Sequence, residues 1–64
     1  MDGAYKKWME QLDTILLGVV GITHLDLADF PSRDLFDDGV SPAEGARECL
    51  TWNDAPQEIV DMVS

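Results

Sequence analysis

"AYKKWMEQLDTILLGVV", residues 4–20, repeats its apolar positions every three or four residues: Tyr5, Trp8, Leu12, Ile15 and Val19 form one row, with Met9, Leu16 and Val20 beside it. Lys6, Lys7, Glu10, Gln11, Asp13 and Thr14 fill the opposite side. That is an amphipathic helix. Asp2 is placed to cap it or to meet its positive end. Gly21 reads as its stop, with Ile22 packing back onto Leu17, a leucine that otherwise falls off the stripe.

Beyond this helix, Thr23-His24-Leu25-Asp26 has the form of a capping box, but Phe30-Pro31 ends any helix there within about two turns. Ser32 can cap a short segment from Arg33 to Asp38, and Gly39-Val40 repeats the Gly21-Ile22 stop, with Val40 reaching Leu35. Ser41-Pro42-Ala43-Glu44 is the strongest local signal: a serine cap, proline at the first helical position and a glutamate three residues on. A helix over about 42–52 follows, its inner stripe Ala43, Ala46, Cys49, Leu50 and Trp52, weakened by about 1 kcal/mol at Gly45 relative to alanine. Asp54-Ala55-Pro56-Gln57 then reads as the cap of a last helix carrying Ile59, Val60, Met62 and Val63. No run alternates with period two for long enough to make a strand. The expected fold is all-α, a small bundle of one long and two to four short helices in a single domain over 1–64.

Sixty-four residues leave room for one core at most, and about 60% of the unfolded surface of such a chain is buried on folding. Most large apolar side chains are therefore committed inward. Four Lys and Arg stand against thirteen Asp and Glu, a net charge of -9. Without a basic patch there is no counterion release to drive direct nucleic-acid binding. A hydrophobic fraction of 45% is too high for a disordered acidic tail. Cys49 has no partner for an internal disulfide, and together with His24 it falls short of a zinc site, which fits a cytoplasmic chain. The apolar run Ile15–Ile22 is far shorter than the ~20 residues of a spanning helix, and Thr23-His24-Leu25-Asp26 offers no small-residue cleavage site after it, so neither a membrane nor a signal peptide is expected.

The residue types that carry chemistry fail their spacing tests. With Gly39 set as the sixth position of a calcium loop, Phe36, Pro42 and Gly45 fall where oxygen ligands are needed. His24 would act as a base only if a carboxylate such as Asp26 oriented it beside Thr23 or Ser32, and nothing in the spacing demands that. Cys49 shares a stripe with Ala43, Ala46 and Leu50 and reads as a small core residue. Trp8 and Trp52 suit a core or an interface. The Ile15–Val20 stretch leaves room for a second copy, so a homo-oligomer is one expectation. No enzyme, cofactor or metal site is expected.

The segment "DLADF…RDLFDDGVSPAEGA", within residues 26–46, resembles a family of short acidic proteins of unknown function from bacteria, plasmids and phages. The likeness spans about residues 8–50, centres on Gly39-Val40-Ser41-Pro42 and departs at Gly45, where alanine or glutamate is usual. It implies a small helical accessory protein and no catalytic residue. The expected function is thus a non-enzymatic protein-interaction module. Asp26, Asp29, Asp34, Asp37 and Asp38 would meet a basic protein partner, since these five acids fall within thirteen residues. The alternative is an inhibitor that mimics nucleic acid, its carboxylates standing in for phosphates before a DNA- or RNA-binding defence or regulatory protein.

Overall fold

The computed structural model describes residues 3–63. Helix α1 covers Gly3–Val20, a 3₁₀ turn follows at His24–Asp26, and α2 (Ser32–Asp37), α3 (Pro42–Trp52) and α4 (Gln57–Asp61) complete an all-α bundle of one long and three short helices. Among the described residues there is no strand. Asp2, expected to cap α1, lies outside them.

The core runs along α1 as Trp8, Leu12 and Leu16, one residue per helical turn, all buried. Tyr5, Met9, Ile15, Val19 and Val20 flank that seam and are partly buried. Leu16, rather than Ile15, therefore sits at the centre of the stripe. The facing residues are Ala46, Cys49 and Leu50 of α3, Val60 of α4 and Val63 just beyond it. Burying one such large side chain contributes about 1.5–3 kcal/mol. Gly45 belongs to this interface as well. A Cβ there would stand 2.7 Å from Trp8 Cη2 and 2.9 Å from Leu12 Cδ1, so the missing side chain is what lets the indole lie on the α3 backbone. Trp52, by contrast, is 57% exposed: it falls on the flank of α3 and not on its inner stripe.

Three helices end on a residue in the left-handed region, and the endings are not alike. Gly21 (φ 77°) shares its amide between Leu17 O at 3.1 Å and Leu16 O at 3.2 Å, an αL stop made by the N–H of one residue. Leu17, which Ile22 was expected to pack onto, stays half-exposed. Gly39 (φ 80°) forms the two-bond Schellman closure, Gly39 N to Phe36 O at 3.0 Å and Val40 N to Leu35 O at 3.1 Å. The end of α3 has the same closure, Asp54 N to Thr51 O at 3.1 Å and Ala55 N to Leu50 O at 3.0 Å, with Asp54 at φ 57°. Asp54 is therefore the stop of α3 and not the cap of α4. That helix starts after Pro56, without a side-chain cap.

Ser41 caps α3 as expected, its Oγ accepting from Glu44 N at 3.2 Å with Pro42 at the first position. Ser32 does not cap α2. It is the first helical residue, and its hydroxyl is engaged with Tyr5 OH at 2.7 Å. Thr23 likewise makes no side-chain cap to the 3₁₀ turn.

Candidate functional site

The five aspartates singled out in the sequence are all exposed. Asp34, Asp37 and Asp38 belong to α2 and its end, at the three- and four-residue spacings that put side chains on one helix face. Asp37 Oδ1 lies 3.5 Å from Arg33 Nε, an exposed pair of small energetic weight. Asp26 closes the 3₁₀ turn and Asp29 lies three residues on, in chain of no regular structure. The structure thus brings three of the five together and strings the other two along the connector that leads back from the end of α1 to its start.

Aromatic packing fixes α2 in place. The Tyr5 and Phe36 rings meet edge-on at 5.3 Å, Trp8 and Phe36 at 5.9 Å, and the Arg33 guanidinium lies over the Tyr5 ring at 4.9 Å. Trp8 Nε1 donates to Val40 O at 2.7 Å, which ties the Gly39-Val40 stop to α1. The α2 carboxylates are therefore carried on a helix packed against the start of α1.

The connector is pinned at two further points that the sequence reading missed. His24 N donates to Asp13 Oδ1 at 2.9 Å, and its ring Nδ1 lies 2.7 Å from the same oxygen. Asp13, assigned from sequence to the polar face of α1, thus orients the histidine in place of Asp26, while Ser32, one of the hydroxyls considered beside it, is paired with Tyr5. Asn53 accepts from Ala28 N at 2.8 Å and donates to Cys49 O at 2.8 Å. That clamp joins the connector to the end of α3. Cys49 is fully buried; burial first, and the nearby Asp13 carboxylate second, push its thiol from 9.0 up to about 11. It is neutral at physiological pH and is no nucleophile in this state.

Among the described residues no pocket opens, no three His, Cys, Asp or Glu side chains converge as metal ligands, and no helix is long and apolar enough to cross a membrane. Among the described residues four large apolar side chains stand out in solvent: Leu25 at 81%, Met62 at 59%, Trp52 at 57% and Leu17 at 52% exposed.

Compared with known proteins, the chain is similar to the Gene 87 protein of Mycobacterium phage L5, 32% identical over 47 residues that span 73% of this chain and 89% of the phage protein. The chain belongs to the family of that phage protein. No protein-family model matches it, and no solved structure matches it significantly. The expected likeness to short phage proteins is met by the Gene 87 protein, whose name specifies no activity.

Proposed function

We propose that the chain is a small, non-enzymatic accessory protein of phage type that acts in the cytoplasm by binding a protein partner with a basic surface. The observation that carries this reading is the exposure of Asp26, Asp29, Asp34, Asp37 and Asp38, three of them on one face of α2 and its end, which aromatic rings pack against α1. Like charges so close oppose folding, and capping accounts for none of the α2 set, since α2 has no side-chain cap. A fixed row of carboxylates steers a cationic surface during encounter more than it tightens the final complex.

The test is kinetic. With the partner identified by affinity capture, Asp34→Asn combined with Asp37→Asn should chiefly slow association, and the wild-type complex should weaken as salt shortens the Debye length to ~3 Å at 1 M. Indifference to both refutes the reading. Competition by double-stranded DNA for the same partner surface would instead favour nucleic-acid mimicry.

A further inference from the structure

The exposed apolar side chains Leu17, Leu25 and Trp52 have no role in the core, yet an apolar residue in a chain this short is ordinarily needed there. Their placement is not scattered. The bonds from Asp13 to His24 set Leu25 beside α1, and Leu17 lies one turn beyond Asp13 on the same helix face. The Asn53 bond to Ala28 brings the end of α3, with Trp52, to the same turn. Leu25 thus lies within residues 24–28, Leu17 is one turn from the Asp13 bonded to that segment, and Trp52 is next in the chain to the Asn53 bonded to it.

The charge around this turn is of one sign. Asp26, Asp29 and Asp54 are exposed there. The cations are held elsewhere: Lys6 and Lys7 lie early in α1, Arg33 lies over Tyr5, and Arg47 reaches back to Glu44 at 3.9 Å. Neither α1 nor α3 has a basic residue in its last turn, so the carbonyl ends of both helices add partial negative charge. A second copy would bring the same acids and a further net charge of -9. The complementary occupant is cationic and apolar at once.

We infer that residues 24–28, with Leu17, Leu25 and Trp52 as anchors, dock a basic amphipathic segment of a partner protein. The inference rests on the basic-partner reading and moves the anchor of the contact from α2 to this turn. Aromatic anchors are the usual hot spots of such interfaces, and Trp52 is an exposed aromatic residue two positions before the exposed Asp54.

The probe is a synthetic amphipathic Leu/Lys peptide of about 18 residues, with a Leu/Glu peptide of the same pattern as control. Titrated into the full chain, the Leu/Lys peptide should shift the indole N–H resonance of Trp52 and leave that of the buried Trp8 in place. Leu25→Ser with Trp52→Ser should weaken binding about tenfold or more. Asp34→Asn with Asp37→Asn should change it by less than about threefold. Both apolar replacements are at exposed sites, and circular dichroism checks that the helices persist; the resonance map of the wild-type chain decides the site independently. If the α2 variant loses binding and the Leu25, Trp52 variant does not, the basic-partner reading stands and this anchor is refuted. If the Leu/Lys peptide fails to bind or the Leu/Glu peptide binds as well, both fall. If sedimentation shows a wild-type dimer that Leu25→Ser with Trp52→Ser dissociates, the occupant is a second copy and the inference is overturned.

Discussion

Replacing Gly45 by alanine sets two effects of known size against each other. Alanine favours the helix by about 1 kcal/mol over glycine. Its Cβ, however, would stand 2.7 Å and 2.8 Å from Trp8 Cη2 and Cζ2, and 2.9 Å from Leu12 Cδ1. Carbon atoms pack best at about 3.5–4.0 Å, so the indole would have to retreat by most of an ångström. It is not free to do so, because Nε1 is bonded to Val40 O at 2.7 Å and the ring is wedged against Phe36. Overpacking of this kind costs about 1–3 kcal/mol, and disturbing the indole bond about 1 more. The net expectation is a loss of about 1–3 kcal/mol, with the melting temperature falling by about 4–8 °C for each of them. Gly18→Ala is the matched control: nothing lies within 4 Å of its added Cβ, so it should gain about 0.5–1 kcal/mol. Thermal melts followed by far-ultraviolet circular dichroism measure both. A Gly45→Ala protein as stable as the Gly18→Ala protein would refute the close approach of Trp8 to α3.

Two left-handed stops should respond in opposite directions in urea denaturation: Gly39→Ala, at φ 80°, should lose about 1 kcal/mol or more, and Asp54→Gly, at φ 57°, should gain about 0.5–1 kcal/mol. Cys49 makes stability depend on alkali: its folded thiol is raised from 9.0 to about 11, so between those values the unfolded chain gives up a proton that the folded chain keeps, and stability falls as pH rises from 9. That fall should be smaller in Cys49→Ala, and the wild-type thiol should resist alkylation until the chain is unfolded; equal pH slopes would show that the thiol is solvated.

Local chemistry explains what the sequence disclosed. The extent of α1, the Ser41-Pro42 start of α3 and the stop at Gly39 each depend on a few neighbouring residues, and all three are found as expected. The failures have one physical source. Asp54, Ser32 and Asp13 are polar residues able to serve several local roles, and which one they take is set by partners elsewhere in the chain: Ser32 pairs with Tyr5 across 27 residues, and Asp13 with His24 across 11. Gly45 read as a defect because the indole that needs the space is on another helix. For the candidate surface, the acids were visible as composition, whereas the separation of Asp26 from the α2 set followed only from the path of the connector.

The indole bond from Trp8 to Val40 closes a loop of 32 residues, which carries a chain-entropy cost of about 3 kcal/mol. The seam Trp8, Leu12 and Leu16 packs chiefly against residues beyond position 40. During synthesis α1 therefore leaves the ribosome well before the surface that covers it. A nascent chain of this protein presents an amphipathic helix with a bare apolar stripe to the cell until α3 emerges, and is open to chaperones and proteases for that interval.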